Sequence, residues 1–386
     1  MRETFLPYGR QWLDEDDIQA VVEVLKSDYL TTGPKILEFE KAFAKYVGAK
    51  YAVAIANGTA ALHAACFAAG IKQGDEVITT PITFAASANS VLYCGGQPVF
   101  ADIDPDTYNI DPDEIRKSIT SKTKAIIPVH FAGQPCEMEE IGKIAKEYNL
   151  IVIEDAAHAV GADYKGKLIG GISDMTTFSF HPVKHITTGE GGMITTSDEE
   201  VYKKLLLFRS HGITRDRELL IEEYQGPWYY EQLELGYNYR MSDIQAALGL
   251  SQLNKADKFI KRRREIAGMY TLVFGEEVNL ITPLQQEGCN SSWHLYVIRL
   301  NFKNLKCSQR DFFEYLIQEN IGVNIHYIPV YKHPFYRKNG YRDVICPNSE
   351  QFYSACISLP IFPKMTNEDI KDVILSVKKV LKKNEK

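Results

Sequence analysis

"TFSFHPVKHITTGEGGMITT", residues 177–196, sets Lys184 between two histidines and ahead of a glycine-rich turn, with an apolar run on either side. "MTTFSF" before the loop and "GGMITT" after it read as strands, which puts Lys184 in a polar connection and not on an open helix face. The same rhythm runs upstream. "AVAI" at 52–55 is followed by the helical pattern "TAALHAACFAAG", "EVIT" at 76–79 by "FAASANSVLYCGG", and "AIIPVHF" at 125–131 by "EMEEIGKIAKEYN", before "LIVIEDAA" leads into the quoted stretch. Runs rich in β-branched residues alternating with helices predict an α/β fold whose largely parallel sheet is covered on both faces. In such a sheet ligands sit beyond the carboxyl ends of the strands, so the turns after these runs are where chemistry is expected.

Downstream, Asp198, Glu199 and Glu200 suit the start of a helix running toward Gly212. Residues 213–237 are polar and aromatic without a period, the mark of a long ordered excursion with a functional or interfacial role. "MSDIQAALGLSQLNKADKFIKRRREIAGMYTLVF" has a Ser242 cap and apolar residues at helical spacing, as one long helix or two joined ones bridging to a second module. That module reads as α+β, with strands at "WHLYVIRL" and "GVNIHYIP" and helices at "SQRDFFEYLIQEN" and "NEDIKDVILSVKKVLKK". With 386 residues, 45% of them hydrophobic, the chain accommodates a large domain over 1–250 and a smaller C-terminal α+β domain over 251–386.

The totals also exclude classes. A net charge of -6 does not supply the basic surface that a nucleic-acid binder needs, and the local run Lys261 to Arg264 reads as a solvated helix face. No secretion signal is expected at "MRETFLPYGRQW", and the most apolar stretch, Ala52 to Gly70, is alanine-rich and broken by Asn57, Gly58 and His63, so no membrane span is expected. Seven cysteines, at 66, 94, 136, 289, 307, 346 and 356, show no metal-binding spacing and read as reduced, mostly buried thiols of a cytoplasmic enzyme with no metal site.

Three strand ends carry chemistry-bearing residues. In "NGTAAL" the amides of Gly58, Thr59 and Ala60 and the Thr59 hydroxyl open a helix, where an anion is favoured; a plain strand-to-helix turn has the same sequence. In "LIVIEDAAHAVG" Asp155 ends a buried strand and asks for a cationic partner, or caps the next segment, with His158 three residues on. Lys184 alone reads as a solvated charge, Phe84 in "TPITFAAS" as a core ring, and Ser179 as a strand residue. Together these types describe a pyridoxal 5'-phosphate site: a lysine to bond the aldehyde, an acid to keep the pyridine nitrogen protonated, helix amides and a hydroxyl for the phosphate, and a ring to stack.

"EDAAHAVGADYKG", "FSFHPVKHITTGEGG", "RSHG" and "GYNYRMSDIQAALGLSQL" resemble the DegT/DnrJ/StrS nucleotide-sugar aminotransferases, of the aspartate-aminotransferase fold (fold type I), and the resemblance extends from "LPYGRQWLDEDDI" through "ISLPIFPKMTNEDI". Within that family "SFHPVK", "GYNYR" and "HYIPVY" are similar to the UDP-4-amino-4,6-dideoxy-N-acetyl-β-L-altrosamine transaminases of pseudaminic acid synthesis. "FLPYGR", "TTGPK" and "IIPVHFAGQP" are similar also to the UDP-4-amino-4-deoxy-L-arabinose aminotransferases and spore-coat polysaccharide relatives. The resemblance implies that Lys184 is the Schiff-base lysine, Asp155 the pyridine partner, Phe84 the stacking ring, and Gly58, Thr59 and Ser179 part of the phosphate cup, with His158 beside the cofactor. It implies that Asn238 comes from the neighbouring subunit of a homodimer. It further implies that Tyr8, the run Asp28, Tyr29, Leu30 and Thr31, and the run His326, Tyr327, Ile328 and Pro329 contact a UDP-sugar, with Gly58, Ser179 and Asn238 also near it. Arg240 is a candidate for a carboxylate or diphosphate, or a structural ion pair. The implied reaction takes the amino group of L-glutamate to C4 of a UDP-4-keto-6-deoxy-N-acetylhexosamine, with a UDP-4-keto-pentose or dTDP-keto-sugar acceptor, a sugar 3-dehydratase or a cofactor-binding regulator as the alternatives. One departure stands out: relatives often carry proline or asparagine after the lysine, where this chain has His185, and sugar 3-dehydratases of the same fold have histidine in place of the lysine.

Overall fold

The computed structural model describes residues 2–386. Helices α1 (Glu15–Leu25) and α2 (Pro34–Val47) precede the first strand. Both carry ordinary start and stop signals: Asp14 and Asp17 form a reciprocal capping box on α1, Pro34 opens α2, and Gly48 closes it in the left-handed region at φ +77°.

The central sheet is built from β1 (Tyr51–Ile55), β2 (Glu76–Thr79), β3 (Gln97–Phe100), β4 (Thr123–Ile127), β5 (Ile151–Asp155), β6 (Met175–Ser179) and β7 (Gly192–Thr196), in the order β1-β7-β6-β5-β4-β2-β3. Only β7 runs against the rest, pairing antiparallel with both β1 and β6. The expected "AIIPVHF" strand stops at Ile127, where Pro128 lacks the N–H for a further ladder bond. β3 was not expected. It is short, contains Pro98 and sits on the sheet edge, the one place where a proline costs no ladder bond.

Alternate residues of β1 enter two different cores. Ala52 and Ala54 face α2 through Phe39 and Phe43, whereas Val53 and Ile55 join Ala61 and Leu62 of α3 (Gly58–Ala68) and Phe208 of the later helix Glu199–Phe208. That later helix starts from an Asp198 cap and ends short of Gly212. Residues 213–237 form an excursion whose only regular structure is a two-residue ribbon, Ile213–Thr214 with Glu231–Gln232.

The bridge is two helices, Asp243–Leu253 with its Ser242 capping box and then Ala256–Phe274. Ala256 and Ile260 belong to the first core and Ile266, Ala267, Tyr270 and Phe274 to that of the C-terminal module. There β8 (Leu280–Ile281), β9 (Tyr296–Leu300) and β10 (Cys356–Leu359) make an antiparallel sheet, packed by the helices Gln309–Gln318 and Asn367–Asn384. "GVNIHYIP" is not a strand: a single bridge, Asn324 with Ser358, ties it to β10, and the chain beyond turns toward the main sheet. Leu6, near the start of the chain, lies in this second core, with Gly322 N donating to its carbonyl at 2.7 Å. All seven cysteines are free thiols, and among the described residues no helix is long and apolar enough to cross a membrane.

Candidate active site

The carboxyl ends of β1, β5 and β6 and the turn after β2 open on one cavity of about 950 Å³, large enough to enclose a small organic ligand. Its first wall is the start of α3. Asn57 Oδ1 accepts the Ala60 amide at 2.8 Å, so the helix begins with Gly58 and Thr59 at the cavity. Here glycine is a steric requirement: a Cβ on Gly58 would stand 2.9 Å from Ser179 Cβ and 3.2 Å from Ser179 Oγ. The helix start and the end of β6 are thereby brought together as one cradle.

Asp155 ends β5 and is buried at the cavity floor. Its Oδ2 accepts the Ser87 hydroxyl at 2.7 Å and its Oδ1 the Ala157 amide at 3.1 Å, so the carboxylate is held in one orientation. On the other side of the strand Glu154 accepts His130 Nε2 at 2.8 Å and Thr176 Oγ1 at 3.1 Å, which pins the strand end from beneath. Ser87 was not anticipated from the sequence; a serine in an alanine-rich helix carries no periodic signal.

Lys184 lies half-buried in the loop after β6, its amide donating to His181 O at 2.9 Å. Burial lowers its pKa to about 8; the Asp155 carboxylate works against that shift and the Arg263 charge adds to it. His185 turns the other way. It is buried outside the cavity lining and its Nε2 donates to Ser292 O at 3.1 Å, so the lysine and not the histidine faces the ligand space. Reductive methylation with formaldehyde, read by peptide mass spectrometry, is expected to modify Lys184 at a rate that rises with pH and levels above about 8. Exposed lysines continue to rise toward about 10.4. A Lys184 rate climbing in step with theirs contradicts the lowered pKa.

His158 is buried at the wall with Nε2 3.2 Å from the Tyr327 hydroxyl; burial, then the Lys184 charge, push its pKa well down, so the ring is neutral. His326 is pushed to about 3 by burial and Lys184, and packs at 5.6 Å from the Tyr8 ring. Phe84 is no core residue: it is 65% exposed and lines the cavity. Thus Tyr8, Gly58, Thr59, Phe84, Asp155, His158, Ser179, Lys184, His326, Tyr327 and Ile328 converge from the sequence reading onto one volume. The others do not join them in this chain. Asp28, Tyr29, Leu30 and Thr31 form an exposed turn between α1 and α2, drawn away where Asp243 accepts the Gly33 and Lys35 amides and donates its own to Leu30 O. Asn238 is exposed, Arg240 is half-buried outside the lining, and Pro329 is buried behind Ile328. His181, Glu190, Tyr239 and His333, none of them anticipated, also line the cavity, among other polar residues such as Thr83 and Asn324.

An amine with a lowered pKa, an oriented carboxylate and a helix start around one cavity can hold an anion, a protonated ring nitrogen and an electrophilic carbon at once. A sequence profile described as the DegT/DnrJ/EryC1/StrS aminotransferase family matches residues 11–378. The chain belongs to that family. This aminotransferase is 45% identical, over 99% of its length and 98% of the relative's, to the spore coat polysaccharide biosynthesis protein SpsC of Bacillus subtilis. It is 40% identical to the UDP-4-amino-4,6-dideoxy-N-acetyl-beta-L-altrosamine transaminase of Campylobacter jejuni, over 98% of the chain and 99% of the relative. Among solved structures, Helicobacter pylori PseC, an aminotransferase involved in the biosynthesis of pseudoaminic acid, superposes with a TM-score of 0.92 at 35% identity, over 99% of the chain and 100% of PseC. The chain is therefore a sugar aminotransferase of fold type I, in a family that depends on pyridoxal phosphate. The cavity fits that group: the cradle a Gly58 side chain would fill suits a phosphate, and the carboxylate fixed by Ser87 suits a ring cation.

Proposed function

We propose that the enzyme transfers the amino group of L-glutamate to C4 of a UDP-4-keto-6-deoxy-N-acetylhexosamine, giving a 4-amino sugar for pseudaminic acid or a related surface glycan. The observation that carries this acceptor is the 40% identity along 98% of the chain to a transaminase named for such a sugar. The 45% identity to a spore-coat polysaccharide protein supports the wider class of surface glycans.

Pyridoxal phosphate, when bound, supplies an electron sink that acidifies the donor's Cα–H. The chain's own groups do the rest. The Gly58 and Thr59 amides and the Ser179 hydroxyl would hold the phosphate, helped by the dipole of an eleven-residue helix. Asp155 would keep the pyridine nitrogen protonated, Phe84 would stack on the ring, and neutral His158 would lie beside it. Lys184 would be the covalent anchor, and its amine would take the proton from Cα of the donor in one half-reaction and deliver one to C4 of the sugar in the other. Burial in the cofactor-free chain lowers its pKa to about 8, toward the range in which an amine can accept and return a proton.

The site is completed across a homodimer. Asn238 and Arg240, with the exposed turn of Asp28 to Thr31, serve the neighbour's cavity. In support, the excursion that leads into Asn238 leaves Ile221, Trp228 and Leu235 more than two-thirds exposed, an apolar surface that suits cover by a second copy.

The test is the visible spectrum of cofactor-loaded protein on adding L-glutamate and then the UDP-4-keto-6-deoxy-N-acetylhexosamine. The long-wavelength band is expected to fall with glutamate and return with the sugar, with a 4-amino sugar nucleotide detected by mass spectrometry. A band that returns only with a UDP-4-ketopentose overturns the hexosamine assignment.

A further inference from the structure

Behind His158, outside the cavity lining, lies an arrangement that none of these roles uses. The segment Ser291–Leu295 leads into β9 and crosses over the loops that follow β4, β5 and β6. Ser292 N donates to Gly133 O at 3.1 Å and Leu295 N to Ala132 O at 3.3 Å. Ser292 Oγ donates to His158 O at 3.0 Å, and its carbonyl receives His185 Nε2. From the bridging helix the wholly buried Arg263 donates through Nη1 to Trp293 O at 3.2 Å, His294 O at 3.1 Å and Ile361 O at 2.9 Å. Within this strap Trp293 is held at φ +51°, a left-handed conformation that a bulky residue adopts only where its surroundings over-determine it.

The strap delivers the His294 ring onto His158. Their centroids are 4.3 Å apart and their planes 34° apart, while Tyr327 lies nearly parallel to His158 at 15° and meets its Nε2. Burial pushes the pKa of both imidazoles well down, so two neutral rings can stack without repulsion.

We infer that His294 is a positioning residue: carried by the Ser291–Leu295 strap, it stacks on His158 and fixes the plane in which that imidazole faces the cavity. The inference rests on the reading of this cavity as the cofactor and sugar site. It gives the C-terminal module a direct hand in the alignment of the main sheet's active-site loops, because the strap and Arg263 both come from that side of the chain.

The variants His294→Leu and His294→Phe separate stacking from space-filling. In the full-length protein without cofactor, the ¹⁵N ring signals of His158, assigned by their loss in His158→Gln, are expected to shift and broaden in His294→Leu and to keep their positions within a small offset in His294→Phe. With cofactor, His294→Leu is expected to lower kcat roughly tenfold to a hundredfold, the scale of a sub-ångström to 1 Å misplacement, with KM for L-glutamate little changed. His294→Phe restores most of that loss. Unmoved His158 signals in His294→Leu overturn the proposal, and so does an equal kcat loss in both variants, which would make His294 a packing residue only. Should His294→Leu fail to fold, His294→Asn takes its place in both arms, with the same outcomes deciding. Normal turnover in a Lys184 variant instead overturns the reading of the cavity and leaves the ring measurement in the cofactor-free protein standing.

Discussion

Replacing Lys184 by alanine is expected to lower amino transfer by at least about 10⁴-fold, since one substitution removes the group to which we assign both the nucleophile's and the proton carrier's part. Lys184→Arg should be as inactive: a guanidinium keeps the charge but is never neutral at working pH. Neither loss would come from unfolding. The Lys184 side chain faces the cavity, and its pKa is lowered to about 8 in the folded protein. A lysine whose folded pKa is depressed costs stability at every pH below about 8, and the cost fades as pH rises toward the unfolded value near 10.4. Discounted for its partial exposure, that cost is about 2 kcal/mol. The cofactor-free Lys184→Ala protein should therefore melt no lower than wild type at pH 7, and the difference between them should narrow toward pH 10. Stopped-flow half-reactions and thermal melts check the two halves; turnover within tenfold of wild type would take Lys184 out of the chemistry.

The second large effect is at Asp155. Asp155→Ala is expected to slow the half-reaction with L-glutamate by about 10²–10³-fold, the loss that follows removal of one preorganised electrostatic partner. The carboxylate is fixed before any ligand arrives, by Ser87 Oγ at 2.7 Å and Ala157 N at 3.1 Å, so no reorganisation is needed to meet a ring cation. Asp155→Asn keeps an acceptor for the Ala157 amide but loses the charge, and should fall close to the alanine variant. An asparagine variant with wild-type rates would show that geometry and not charge matters at this position.

Much of this site could be read from the sequence because its chemistry falls at strand ends. Runs such as "EVIT" and "LIVIEDAA" mark buried strands, and Asp155 and Lys184 follow from the rule that ligands gather beyond their carboxyl ends. The reversed β7 is legible too. Residues 180–191 hold no helix, and without a crossover helix two neighbouring strands pair antiparallel. So are α1 and α2, whose Asp14 cap and Pro34 start lie in the sequence. Other features were not legible. Apolar spacing made a strand of "GVNIHYIP", yet its residues divide between β10 and the cavity wall, which only tertiary contacts decide. Ser87 meets Asp155 and His294 meets His158 only across the fold, and a pairing at that distance in sequence leaves no local pattern. The exposed position of Phe84 likewise runs against the preference of an aromatic ring for burial, and only the folded chain shows that it lines the cavity.

The bridging helix Ala256–Phe274 stands with one end in each of two cores. A shaft set into both halves makes the molecule a single mechanical piece: loosening either half would present the oily side of the shaft to water. Heat or urea should therefore take the chain apart in one cooperative step, with a single transition followed by fluorescence and by circular dichroism alike. At the cavity, Phe84 and Ile328 form an exposed rim, while Asp155 lies buried at the floor that this shared framework carries.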